Sequence, residues 1–340
     1  MVATTRSKAN GTITKVLGAS RAGVTKRTKS SSAGGKKAVS TRKKSTQIPA
    51  AGVVEERPAS PHGTNAPLIA PQANSTAVLQ IRRHAPATTN TILDLATAHL
   101  LSVDSSLKSL IESHPCEIFS AEGLAEPINP FQNLVSGIIS QQVSGAAART
   151  IKSRFIALFT PTPTCPQPFF PTPEMIVACP NDNLRSAGLS GRKAEYVVSL
   201  AEHFIDGTLS PEVLSTAPDA EVIERLTKVR GIGNWSAEMF LMFGLKRMDV
   251  FSTGDLGIQR GMASHFGKNV AKLKAGGKGK WKYMSEADML RLSEGFRPYR
   301  SLFMWYMWRA SHVSVEALTE DSGAGKGKGK GKPGAKAKKA

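Results

Sequence analysis

The stretch Val229-Arg230-Gly231-Ile232-Gly233-Asn234-Trp235 constrains this chain more than any other. Two glycines flanking one apolar residue predict a tight hairpin between two helices. Glycine tolerates positive φ and lets a backbone come close to a ligand. The second helix is expected to start at about Asn234, so its unpaired N–H groups face the mouth of the hairpin. That arrangement suits a phosphate. A helix-length gap then leads to Asp255. An acid beside a phosphate-binding turn needs a chemical reason to be there.

Charge is distributed unevenly along the 340 residues, whose formal net charge is +19. Residues 1–54 hold twelve Lys or Arg and no acid, and residues 326–340 hold seven Lys and no acid. These nineteen positives account for the whole excess, so residues 55–325 are formally neutral. A neutral body with two basic arms points to a polyanionic partner, most simply nucleic acid. Residues 1–89 read as a disordered arm, basic at first and then Pro/Ala-rich, too poor in apolar residues to offset the entropy of ordering. Residues 321–340 read as a disordered Lys/Gly-rich tail. Lys36-Lys37 and Arg42-Lys43-Lys44 suggest nuclear import, and a solvated non-specific arm is the equal alternative. The acid-free, Ser-rich start also permits a mitochondrial transit peptide. No apolar run has membrane-spanning length, so no membrane partner is expected.

Residues 90–320 form the expected globular domain, all-α with short helices and short loops. Phe131, Leu134, Val135, Ile138, Ile139 and Val143 recur at helical spacing, predicting a helix that runs to about Phe159. Shorter helices are expected at 174–179, 181–187, 192–206, 219–228, 234–245, 256–266, 286–294 and 299–313, with Asn181 and Asp219 as caps. Cys116, Cys165 and Cys179 are too few and too scattered for a disulfide framework, a zinc site or an iron–sulfur cluster.

The order of parts is more specific than any one of them. An apolar helix carries Gln141-Gln142. Gly191-Arg192-Lys193 follows, then the hairpin, Trp235, Asp255 and an aromatic-rich last helix. This order resembles the helix-hairpin-helix DNA glycosylase superfamily, and within it the alkylation-repair branch of 3-methyladenine DNA glycosylases. The matching stretches cover most of residues 129–310. The resemblance implies a two-lobed helical bundle, base flipping from double-stranded DNA, and hydrolysis of the N-glycosidic bond of alkylated purines in base excision repair. No cofactor is required and a monomer is expected. The alternatives are a glycosylase for oxidised or mismatched bases and a non-enzymatic helix-hairpin-helix DNA-binding protein.

The resemblance also assigns roles. Asp255 is the catalytic carboxylate, and as an N-cap it sits where a helix dipole favours an anion. Asp249 reads as a loop or capping acid. Trp235 stands where lyase-active relatives carry a nucleophilic Lys. An indole forms no Schiff base, so the enzyme is expected to be monofunctional. Trp235, Met239 and Tyr299 are the expected base-pocket residues, whereas Trp305, Tyr306 and Trp308 read as core packing. Gly231 and Gly233 grip phosphate through backbone N–H groups. An alkali cation is implied on the carbonyls of Thr227, Val229 and Ile232. Gln142 matches the intercalating wedge, with a surface Gln at a helix end as the equal alternative. Gln141 and Lys193 are further DNA-binding candidates, Lys193 alternatively belonging to a solvated helix start. Lys268, Lys272, Lys274, Lys278, Lys280 and Lys282 read as a flexible basic loop.

Overall fold

Helix caps punctuate the chain at short intervals. The computed structural model describes residues 55–69, 87–160, 169–276 and 281–311. All belong to one unit, Val53–Ala340. The first helices are α1 (Ile92–Val103), α2 (Lys108–Ser113) and α3 (Ala121–Ala125). Then follow α4 (Pro130–Ser140), α5 (Gly145–Ala157), α6 (Pro173–Val177), α7 (Asn181–Ser186) and α8 (Gly191–Ile205). The hairpin joins α10 (Asp219–Lys228), which follows α9 (Pro211–Thr216), to α11 (Asn234–Met239). A π-helical segment, Phe240–Gly244, continues α11. The last four are α12 (Leu256–His265), α13 (Val270–Gly276), α14 (Glu286–Ser293) and α15 (Arg300–Ala310). Asn129, Ser144, Ser190, Ser210, Asp255 and Ser285 each cap a helix by accepting a backbone N–H. Pro130 and Pro211 add the preset φ of a first helical residue.

The helices sort into two packing groups. α1, α2 and α12 pack on α15, while α4 to α8 pack among themselves and join α10 and α11 through the π-helical segment, which contacts both α4 and α11. α12 approaches α15 closely enough that a Cβ on Gly261 would come within 1.9 Å of the Met307 carbonyl oxygen. Only glycine allows that approach, and it brings the N-terminus of α12 against the end of α15. The all-α expectation is met. Among the described residues, strand is confined to the pair β1 (Pro58–Ala59) and β2 (Ala87–Thr88), antiparallel with Pro58 opposite Thr88, and an isolated bridge between Leu68 and Ile128.

Four expectations need correction. Residues 55–69 are folded, so the ordered body begins well before residue 90. Ala59, Ala66 and Leu68 are buried, and Asn65 donates to the backbone oxygens of Ser60 and Lys246, each at 2.9 Å. This segment borrows an existing surface, so its own low apolar content does not prevent ordering. Second, the helix expected to reach Phe159 breaks. α4 stops at Ser140, Gln142 takes φ +57°, and Ser144 caps a new helix. Third, the residues before Asn181 and Asp219 hold the N-cap positions. Asp219 instead pairs with the buried guanidinium of Arg247. Fourth, part of the Lys-rich insertion is the helix α13, and Lys268 pairs with Asp288 at 3.3 Å. Lys278 and Lys280, Cys165, both basic arms and the import clusters lie outside the described residues.

Candidate functional site

The site is best built from Asp255, because three N–H groups converge on its carboxylate. As N-cap of α12 it accepts the Ile258 N–H on Oδ1 at 2.8 Å. The Trp308 indole N–H also reaches Oδ1, at 3.0 Å. The Trp235 indole N–H reaches Oδ2 at 2.8 Å. Oδ1 thus carries two donors, and Oδ2 keeps acceptor capacity for one more. The acid is clamped between the start of α11 and the end of α15.

α15 fixes this geometry at both ends. At its start, Arg300 holds Asp249 through Nε to Oδ1 at 2.7 Å and Nη2 to Oδ2 at 3.1 Å. The Ser301 hydroxyl donates to the Arg247 carbonyl and accepts the Val250 N–H. The segment leading to Asp255 is therefore tied to the first turn of α15. Asp249 lies in the loop between the π-helical segment and α12, as expected of a loop acid, but it is buried, with Arg297 as a further partner at 3.0 Å, so it also anchors that loop to α15.

Trp308 is the functional residue that sequence reasoning missed. It is buried, as expected of core packing, yet its N–H is spent on the acid. The signal was weak: nothing in a dense aromatic helix marks which indole has a carboxylate partner. Tyr299 is the converse error. It precedes α15, and its ring faces His99 of α1 at 5.6 Å between centroids. Nine residues of helix separate it from Trp308, about 13 Å at 1.5 Å per residue. Tyr299 therefore does not belong to the base pocket.

A cavity of about 300 Å³ opens beside the indole of Trp235. That volume suits a small ligand. Met239, Phe240 and Phe243 form one wall, and Ile138, Gln141 and Gln142 another. The π-helical segment supplies both phenylalanines; such segments often mark functional sites. Phe243 also stacks on Trp308 at 5.9 Å with a 21° interplanar angle. Asp255 does not itself line the cavity. It is joined to the lining through the Trp235 N–H and through the Trp308–Phe243 stack. Trp235 is 42 % exposed and Leu256, next to the acid, 53 %.

The hairpin has the expected glycine geometry. Gly231 takes φ +86°, and a Cβ there would stand 2.0 Å from the Tyr196 ring. Gly233 caps α11, with no atom within 4 Å of a Cβ built on it. That side of the turn is open space. Thr227 lies in the last turn of α10 and Val229 is its C-cap, where the helix dipole is negative, and the Val229 carbonyl accepts the Ile232 N–H at 3.2 Å. Among the described residues no group of three or more His, Cys, Asp or Glu side chains could hold a metal.

Two DNA-binding candidates have partners inside the protein. Lys193 Nζ donates to the carbonyls of Ile139 and Gln141, each at 2.7 Å. Burial lowers its pKa. Its ammonium closes the C-terminus of α4, which corrects its reading as a direct phosphate contact. Gln141 Nε2 donates to the Gly231 carbonyl at 3.0 Å. Gln142 is exposed at the tip of the turn, and Arg192 is exposed on the first turn of α8.

Comparison with known proteins follows the same outline. A family model described as HhH-GPD superfamily base excision DNA repair protein matches residues 135–275. The chain is 36 % identical over 249 residues to the DNA-3-methyladenine glycosylase of Saccharomyces cerevisiae, covering 66 % of this chain and 82 % of that protein. It is 31 % identical over 225 residues to DNA-3-methyladenine glycosylase 1 of Schizosaccharomyces pombe, covering 66 % and 90 %. A solved structure of the Schizosaccharomyces pombe 3-methyladenine DNA glycosylase in complex with abasic DNA aligns with 65 % of this chain and 98 % of that one, at 29 % identity and a TM-score of 0.49. The chain belongs to the HhH-GPD superfamily of base excision DNA repair proteins.

Proposed function

We propose that this protein is a monofunctional DNA glycosylase that releases alkylated purines, such as 3-methyladenine and 7-methylguanine, from double-stranded DNA. The observation that carries this reading is the Asp255 carboxylate, held by two indole N–H groups and a helix N-terminus beside an aromatic cavity. A protein that only binds DNA needs neither the clamped acid nor the cavity.

The target base is stacked in the duplex, so it must be extruded. Gly231 and Gly233 meet the phosphate backbone while Gln142 fills the vacated space. The base enters the cavity against Trp235, Met239 and Phe243, where electron-rich rings favour a cationic alkylated purine. The C1′–N bond then breaks and its electron pair leaves with the base. Positive charge builds on the sugar, and Asp255 stabilises it electrostatically. Water adds its oxygen to C1′ and gives its proton to the free lone pair of Oδ2, acting as general base. Trp235 offers no amine to attack the sugar, so the strand stays intact. When bound, an alkali cation on Thr227, Val229 and Ile232 adds positive charge for a phosphate. No cofactor enters the chemistry. The protein acts as a monomer. The basic arms add salt-sensitive affinity and direct it to the nucleus, with the mitochondrion as the alternative compartment.

Duplex DNA carrying 7-methylguanine tests this reading. The full chain should release free base and leave sites that break only after alkali. No release of any alkylated base would favour the DNA-binding alternative. Strand nicking without alkali would contradict a monofunctional mechanism.

A further inference from the structure

The turn that presents Gln142 is braced from behind, and the brace reaches the phosphate-binding hairpin. Lys193, on the first turn of α8, donates to the Ile139 and Gln141 carbonyls, each at 2.7 Å. Ammonium–carbonyl bonds at a helix C-terminus satisfy carbonyls that have no intrahelical donor, and they lie at the negative end of the dipole. From the same turn, Gln141 Nε2 crosses to the Gly231 carbonyl at 3.0 Å. One helical turn beyond Lys193, the Tyr196 ring packs so tightly on Gly231 that no Cβ fits. α8 therefore touches the turn through Lys193 and the hairpin through Tyr196, and Gln141 links the two directly. Between them, Gln142 is exposed at φ +57°, a backbone state that side chains other than glycine rarely adopt without support.

We propose that Lys193 and Gln141 form a strut that presets the gap-filling turn against the hairpin, so that gripping the phosphate and inserting Gln142 occur as one event. Lys193 is then a positioning residue that acts through Gln141 and Gln142. This rests on the glycosylase reading for the role of Gln142, but the contacts themselves do not.

The test uses the full-length chain and a duplex with a tetrahydrofuran abasic analogue opposite 2-aminopurine. The fluorescence of 2-aminopurine reports insertion into the gap, and the slope of log affinity against log salt counts phosphate contacts. Lys193→Met should bind the duplex with the wild-type slope, yet the fluorescence change per bound complex should fall at least about threefold. Single-turnover release of 7-methylguanine should fall about tenfold, and Lys193→Arg should restore most of both signals. Gln141→Met removes the other end of the strut and should give the same loss. The double variant should be no worse than either single one, as expected for two residues acting as a unit. If Lys193→Met is poorly folded, Gln141→Met carries the test alone. A slope reduced by about 0.9, the share of one phosphate, with an unchanged fluorescence change per complex would overturn the proposal. So would a Gln141→Met protein with full insertion. Absence of base release by the wild type would defeat the glycosylase reading. It would leave the fluorescence and salt arms, which use an abasic duplex, still able to decide the strut.

Discussion

Trp308→Phe isolates one donor of the clamp on Asp255. A phenyl ring keeps an aromatic partner for Phe243 and removes the N–H that reaches Oδ1 at 3.0 Å. A hydrogen bond to a charged group is worth about 1.5–3 kcal/mol. Two donors remain, from Ile258 and Trp235, so the acid stays near its place but gains freedom. If that bond is fully used when charge develops on the sugar, at about 1.4 kcal/mol per tenfold the rate falls roughly 10- to 100-fold. The assay is single-turnover release of 7-methylguanine with enzyme in excess, which isolates steps on the bound substrate. Affinity for an abasic duplex should not change, because Trp308 is buried and has no path to DNA. The smaller ring also leaves a void, costing about 1–3 kcal/mol of stability, which denaturant unfolding measures separately. A folded variant within threefold of the wild-type rate would refute the claim that Trp308 holds the acid.

Other substitutions separate structure from chemistry. Gly231→Ala should destabilise by roughly 2–4 kcal/mol in urea unfolding, because it combines a positive φ with a collision with Tyr196. Gly233→Ala should leave unfolding nearly unchanged but weaken binding to duplex DNA in a fluorescence-anisotropy titration, since its Cβ points into open space. Asp249→Ala should cost about 3–5 kcal/mol in the same unfolding assay, because it strands the largely buried Arg300 without its partner. The fraction that still folds should retain base release, unlike a variant at Asp255. Burial pushes the Asp104 carboxyl up, but hydrogen bonds from Ser106 and His265 outweigh it and leave the pKa below the usual carboxylate range. A depressed folded pKa contributes stability that is present above about pH 4 and lost as pH falls through the folded value. Asp104→Asn should therefore flatten the acid limb of the stability profile below about pH 4, as read by thermal unfolding.

Much of this architecture was legible in the order of residues because its signals are local. The hairpin needs two glycines at fixed spacing, a helix start needs a cap, and Asp255 is such a cap. Trp235 and Met239 lie one helical turn apart, so once the resemblance placed Trp235 in the pocket, spacing put Met239 on the same wall. What escaped depends on contacts between distant segments. Trp308 meets Asp255 across 53 residues. Tyr299 lies in the same aromatic stretch but at the other end of α15, and a motif gives no sense of which end faces the site. Lys193 looked like a surface cation because its carbonyl partners lie more than fifty residues earlier. The break after Ser140 was hidden because apolar spacing continues through Val143 even though the backbone turns at Gln142. Residues 55–69 were misread for a related reason: composition describes what a segment can bury alone, and this one is buried by others.

Everything in the proposed chemistry passes through one carboxylate. The most direct measurement compares wild type with Asp255→Asn on duplex DNA containing 7-methylguanine, recording free base and duplex affinity together. The account predicts that Asp255→Asn binds the duplex as tightly as wild type and releases essentially no base. Equal release by the two proteins would contradict it.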